Sequence, residues 1–288
     1  MQKLKDELSK IYTSKVFQDF LIRNNRLVQY HSESYKEYFG FNINRGKAEN
    51  IKFYITYLRH LSEKELVQLL GFNPPINLKK AFQERSNNYD PKKGGTGTTF
   101  TFKYDVGANR FTIGVYFLIN NSKGWNIDDY PFLVNYKEQT GEGVELSSEY
   151  LLYYEFDTNH EMLNTRIHCY SKSKKLFSFL EKKYDQVIQP FTHELEIYFD
   201  RKSMNKSKVN LLMDLVMFRG PYQETRSGRE ISNFIKRNSF LNKFLPVCPG
   251  FYSDSSILSI YFMNLTAEID SPIHTFENLF NVLNYEYQ

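Results

Sequence analysis

Paired runs of alternating residues recur five times along this chain, and in each pair at least one run has a face that is apolar or nearly so. In "IKFYITYL", Ile51, Phe53, Ile55 and Tyr57 share one face, while Lys52, Tyr54, Thr56 and Leu58 share the other. A period of two is the signature of a β-strand. The same split returns downstream. Phe111, Ile113, Val115, Phe117 and Ile119 oppose Thr112, Gly114, Tyr116 and Leu118. Leu163, Thr165, Ile167 and Cys169 oppose Asn164, Arg166, His168 and Tyr170. Val209, Leu211, Met213 and Leu215 oppose Lys208, Asn210, Leu212 and Asp214. Leu258, Ile260 and Phe262 oppose Ile257, Ser259, Tyr261 and Met263. Each such strand has a partner run before it, so the units read as five β-hairpins. The first of them is joined by a loop expected to exceed two residues.

Helical patterns separate the hairpins. The first thirty residues repeat Leu and Phe at near-helical spacing. "LSEKELVQLLGF" offers Ser62 as N-cap, Glu65 three positions on, and Gly71 as the stop. "KSKKLFSFLEKKYDQVI", "GREISNFIKRNSFLNKFL" and "SPIHTFENLFNVLNYEY" read as further helices. No low-complexity linker divides the order, so residues 1–288 are expected to form a single domain. Asn88 to Thr99, "NYDPKKGGTGTT", reads as a loop; its glycines lack the Gly-Lys-Ser/Thr that completes a phosphate loop.

The apolar faces need cover, and the helices between the hairpins are the available cover. The other faces carry Lys, Arg, His, Tyr, Asn, Thr and Gly, with few Glu. An open α+β sheet with one wet face is the plainer solution. However, ten strands in one twisted sheet tend to curl, split or close. The pattern therefore points to an α+β fold: a ten-stranded antiparallel barrel of five helix–hairpin–helix repeats, with helices outside and a polar, aromatic lumen wide enough for a ligand. A membrane barrel also has a polar interior, but it would not place helices between its hairpins.

Composition agrees with an enclosed aromatic chamber. The chain holds 22 Tyr and 25 Phe against one Trp. Tyrosine gives a flat apolar body with a polar tip, which suits a cavity wall. The net charge of +4 comes without a concentrated basic run, so no nucleic-acid partner is expected. Cys169 and Cys248 are the only cysteines and indicate no disulfide framework. No apolar leader and no stretch of about 20 apolar residues is present, so neither membrane nor export is expected and the cytoplasm is the expected compartment.

The arrangement, with the second-strand patterns "KFY" (Lys52, Tyr54), "RIHCY" (Arg166, His168, Tyr170) and "SIY" (Ser259, Tyr261), resembles the ABBA or PT-barrel prenyltransferases. Within them it is most similar to the cyanobactin-type peptide prenyltransferases, at "EYFGFNI", "YEFDTNHEMLNTRIHCYSKSKKL" and "IYFDRKSMNKSKV". The resemblance runs from about Tyr35 to Met263 and implies transfer of a dimethylallyl group from dimethylallyl diphosphate to a nucleophilic side chain of a peptide. A small indole or phenol acceptor is the alternative, and a non-catalytic binding protein is the alternative of another class.

The implied chemistry assigns roles. Lys52, Arg166, His168 and Lys208, with Lys103 on a first strand, are the candidate diphosphate ligands, because a leaving diphosphate needs cations in a water-poor chamber. Tyr54, Tyr116, Tyr170 and Tyr261, with Thr56, are the candidate carbocation shield and acceptor pocket. Glu37 stands near the place where the family carries a carboxylate base, although its strand parity is opposite to that of Lys52; Glu155 and Glu194 are alternatives. Mg2+ is the one cofactor a diphosphate brings to mind, no Asp-rich motif is present to hold it, and no organic cofactor is implied.

Overall fold

The computed structural model describes residues 2–28, 35–85, 97–119, 131–146, 150–192, 194–200, 207–212, 220–252, 256–264 and 275–285. Two helices, α1 (Gln2–Thr13) and α2 (Lys15–Val28), lead into β1 (Tyr35–Asn44) and β2 (Lys47–Tyr57). Then follow α3 (Glu63–Leu70), α4 (Ile76–Gln83), β3 (Thr98–Asp105), β4 (Arg110–Ile119), α5 (Pro131–Thr140), β5 (Tyr150–Asp157) and β6 (Met162–Ser171). The order ends with α6 (Lys174–Tyr184), β7 (Glu194–Asp200), β8 (Ser207–Leu212), α7 (Arg226–Arg237), β9 (Phe244–Tyr252), β10 (Ile257–Asn264) and α8 (Thr275–Tyr285).

The ten strands form one closed barrel. Each pairs antiparallel with its neighbours in the chain, and β1 pairs with β10 to complete the ring. The open-sheet solution is thus excluded, and no strand edge is left unpaired. Among the described residues there are eight helices: two before the first hairpin, two after it, and one after each of the others.

The apolar faces point outward, under the helices. Ile51, Phe53, Ile55 and Tyr57 are all buried. Phe17 of α2 packs its ring 4.7 Å from Phe53 and 4.9 Å from Phe102. Phe276 of α8 meets Phe53 at 5.2 Å, and Phe234 of α7 meets Phe41 at 5.4 Å. Phe82 of α4 meets Phe117 at 5.4 Å. Burying side chains of this size stabilises by roughly 1.5–3 kcal/mol each, and it fixes the strand register because a one-residue slip would turn the phenylalanines inward. No helix among the described residues is long and apolar enough to cross a membrane.

Three local details differ from the sequence reading. The first hairpin turns in two residues, since Asn44 pairs with Lys47 and both Arg45 (φ 49°) and Gly46 (φ 74°) take the left-handed conformation. A register shift beside Asn42 and Ile43 disguised this by adding a residue to β2. The leading helix breaks at Ser14, whose hydroxyl accepts from Phe17 N at 3.3 Å and so caps α2. The helix expected to run to Leu245 ends as an α-helix at Arg237, and β9 starts at Phe244 despite Pro246 and Pro249. By contrast, α3 has the expected capping box at Ser62 and Glu65 and a left-handed stop at Gly71 (φ 80°). The turn of the fourth hairpin, residues 201–206, Met213 to Leu215 and most of the 88–99 loop lie outside the described residues.

Two glycines on inward faces leave room for tyrosine rings. A Cβ on Gly40 would lie 2.5 Å from Tyr261 Cδ1, and one on Gly114 would lie 2.3 Å from Tyr153 Cε2. The rings therefore lie flat against the barrel wall where the neighbouring strand has no side chain.

Candidate active site

The polar strand faces enclose a cavity of about 890 Å³. That lies within the ~300–1,000 Å³ range of small-molecule sites. Tyrosine dominates its wall. Tyr38 and Tyr54 stack at 4.6 Å with planes 5° apart, and Tyr116 stacks on Tyr153 at 4.1 Å. Tyr261 meets Tyr54 edge-on at 5.6 Å. Burial pushes the phenols of Tyr54, Tyr116 and Tyr261 above the ordinary range, so all three stay protonated. Other wall residues carry charge. Of these, Glu145 and Lys172 are exposed and Lys36 and Glu194 are half-buried.

Beside this wall lies a group of cations. Lys52 on β2 donates to Asn42 Oδ1 at 2.8 Å. Lys208 on β8 donates to the Tyr261 hydroxyl at 2.6 Å. Neither lysine has a carboxylate within ion-pair distance among the described residues. Lys103 and Arg166 do: they reach Glu155 Oε1 and Oε2, each at 3.3 Å, and Thr112 adds a hydrogen bond to Oε1 at 2.9 Å. Burial pushes the Glu155 carboxyl up, but Lys103 and Arg166 outweigh it and hold it at about 2. Burial, then Lys208, Lys103 and Arg166, push the Lys52 ammonium well below its ordinary value. Burial likewise brings Lys208 down to about 7, against the opposing pull of Glu196. Lys103 and Arg166 keep 21% and 25% of their side-chain surface open.

A third cluster spans β6, β7 and β8. Glu196 Oε1 lies 3.1 Å from His168 Nδ1 and accepts from Tyr170 at 3.3 Å. Its Oε2 accepts from Tyr198 at 3.3 Å and from Asn210 at 2.9 Å. The His168 ring stacks on Tyr198 at 3.7 Å and meets the edge of Tyr116 at 4.8 Å. Asn210 also donates to the Tyr198 hydroxyl at 2.7 Å, so the carboxylate and its donors are mutually fixed.

No family model matches this chain, and no curated protein matches it as a relative.

The expected site residues divide as follows. Tyr54, Thr56, Tyr116, His168, Tyr170 and Tyr261 line the cavity. Lys52, Lys103, Arg166 and Lys208 come together, but behind or beside the tyrosines rather than on the cavity wall. Glu37 is a correction. Its carboxylate lies on the outer side of β1 and accepts from Phe276 N at 3.0 Å, so it holds the start of α8. The alternation that turns Lys36 and Tyr38 inward turns Glu37 outward, and no bulge intervenes there. Of the alternatives, Glu155 is tied to two cations and Glu194 sits across from Lys172 at 3.8 Å. For Mg2+, the residues do not fit a protein-held ion. Glu155 and Glu196 are already engaged, and no group of three or more His, Cys, Asp or Glu ligands exists among the described residues.

Glu196, Tyr198, Tyr38 and Tyr153 add to the expected set. All four lie on first strands, whereas the expected tyrosines lie on second strands. The alternation in "ELEIYFD" carries the signal: Glu194, Glu196 and Tyr198 share the face opposite Leu195, Ile197 and Phe199.

Proposed function

We propose that this protein is a prenyltransferase of the PT-barrel kind, moving a dimethylallyl group from its diphosphate to a nucleophilic side chain of a peptide. The observation that carries the reading is the pair of buried lysines, Lys52 and Lys208, set without carboxylate partners among the described residues, next to Arg166 and a tyrosine-walled cavity. Burying cations without counter-charge is costly, and a bound anion is what offsets it. The division of the lumen fits an allylic diphosphate, which has a highly charged end and an apolar end. Lys103 and Arg166, which keep part of their surface open, and the buried Lys52 and Lys208 together give one end of the lumen a positive potential suited to the diphosphate. The stacked tyrosines offer π-faces to the allylic cation and keep water from it. Mixed charge on residues of the wall gives a peptide backbone and side chains polar partners.

A small aromatic acceptor is the second reading, favoured by the near-parallel Tyr38–Tyr54 wall, against which a flat ring can stack. Mass spectrometry decides among the readings. The protein is incubated with dimethylallyl diphosphate and, separately, peptides bearing each nucleophilic residue and simple indoles and phenols. A peptide gaining one C5 unit supports the first reading, and an indole or phenol gaining it supports the second. Pyrophosphate binding with no transfer to any acceptor makes the protein a binding module instead.

A further inference from the structure

Prenyl transfer releases a proton from the acceptor, and the chamber must receive it. Glu37 faces out of the barrel. Glu155 is held far below neutrality by Lys103 and Arg166, so it is a weak base. Glu196 already accepts four hydrogen bonds. One atom remains. Of the described buried side-chain polar atoms that lack a hydrogen-bond partner, only His168 Nε2 belongs to a residue of the cavity wall.

The partner of the other ring nitrogen fixes its chemistry. Glu196 can only accept while ionised, so His168 Nδ1 carries the hydrogen that points at it across 3.1 Å. That tautomer leaves a lone pair on Nε2. We propose that His168 Nε2 accepts the proton lost by the nucleophile, and that Glu196 is the positioning residue that sets its tautomer. This rests on the prenyl-transfer reading and deepens it. In the step, the C1–O bond of the donor breaks with its electron pair leaving on pyrophosphate. The acceptor's lone pair forms the new bond to C1, and the acceptor's proton passes to Nε2. The resulting imidazolium sits against the Glu196 carboxylate and returns its proton to pyrophosphate or water after release.

The surroundings support a neutral resting imidazole. The charged and titratable groups around it are Arg166 on β6, Glu196 and Tyr198 on β7, Lys208 on β8, Tyr116 on β4 and Tyr153 on β5. Burial lowers the His168 pKa, Glu196 opposes this, and Arg166 and Lys208 lower it further. A diphosphate bound at those cations would mask their charge and make the imidazole more basic when the proton arrives.

The test combines turnover against pH with pyrophosphate binding by calorimetry, for the native protein, His168→Gln and Glu196→Gln. A positioned general base is worth about 10²–10⁴-fold. His168→Gln is expected to lose kcat on that scale and to lose the acidic limb of the profile, while binding pyrophosphate within about twofold of the native protein. Glu196→Gln is expected to move the acidic limb and to cost about tenfold in kcat, a smaller loss because the base remains. Retention of the limb by His168→Gln overturns the proposal. So does a loss confined to pyrophosphate affinity, which makes His168 a phosphate ligand. If the native protein binds pyrophosphate but alkylates nothing, the transfer reading itself fails, and the base with it. Nitrogen NMR of the histidine-labelled native protein gives an answer that needs no variant to fold: a proton on Nε2 instead of Nδ1 overturns the assignment.

Discussion

Lys208 reaches over β9 to donate to the hydroxyl of Tyr261 on β10, at 2.6 Å. The lysine is 1% exposed, so its charge meets the lumen through that phenol. A hydroxyl that accepts from an ammonium is polarised and becomes a stronger donor to an anion. Lys208→Met and Tyr261→Phe should each weaken pyrophosphate binding about tenfold, as expected for a hydrogen bond involving a charged group. The double variant should bind no more weakly than either single one, because the two residues act as one unit. Calorimetric titration of the three variants measures the coupling. Additive losses would show that the two act separately.

Lys208 also sets a pH dependence. Its folded pKa of about 7 lies below the ordinary 10.5. Between those values the unfolded chain binds a proton that the folded chain does not, so this residue makes stability rise with pH across that window. Below about 7 both states are charged and the slope from this group vanishes. Denaturant melts from pH 6 to 10 should therefore show a flatter rise for Lys208→Met than for the native protein. Pyrophosphate binding near pH 8 should draw protons onto the lysines. Calorimetry in two buffers of different ionisation enthalpy reads this uptake directly, and equal heats in both would contradict it.

Glu37 makes an opposite prediction. Burial raises its carboxyl to about 7, with the backbone bonds from Phe276 and Thr275 opposing, against an ordinary 4.5. The folded chain thus holds a proton between those values that the unfolded chain has lost, and stability from this group falls as pH rises from 4.5 to 7. Glu37→Gln keeps an acceptor for Phe276 N and removes the charge. It should be more stable relative to the native protein at pH 8 than at pH 5, with turnover unchanged. A large loss of turnover, with the fold intact by circular dichroism, would return Glu37 to the reaction.

Gly114→Ala tests the tyrosine lining. Its new methyl would overlap Tyr153 Cε2 and lie 2.7 Å from Thr101 Oγ1. Overpacking of this kind costs about 1–3 kcal/mol, seen as a lower melting temperature. Displacing Tyr153 also unstacks it from Tyr116 and opens the shield. More of the donor should then be lost to water, so the ratio of prenyl alcohol to prenylated acceptor should rise. An unchanged ratio in a destabilised variant would separate packing from protection.

The strand faces were legible in the sequence because burial imposes a period of two. Lys52, Tyr54 and Thr56 sit on one side, and Ile51, Phe53 and Ile55 on the other, as their order dictates. The start of β9, Phe244 to Cys248, was hidden because Pro246 and Pro249 remove backbone donors and read as strand breakers. The chain tolerates them where the β9–β10 register slips and Cys248 takes a φ of 47°. The His168–Glu196 pair was hidden for another reason. Parity tells which wall a residue faces, but not which height it reaches around a tilted barrel. His168 pairs across the strands with Tyr198, whereas its side chain bonds Glu196 two positions away. Offsets of that kind arise only when the staves are assembled.

The seam between β1 and β10 bears on how such a protein is made. Phe39 of the first strand pairs with Phe262 of the last, and Tyr38 meets Tyr261 edge-on across the same join. The chamber therefore has no partial form: until β10 docks, the ring is an open sheet with two bare edges. Contacts so distant along the chain form slowly and late. A ribosome must complete β10 before Tyr38 meets Tyr261 and the lining closes, and in that interval the growing chain relies on its helices to cover what the barrel will later enclose.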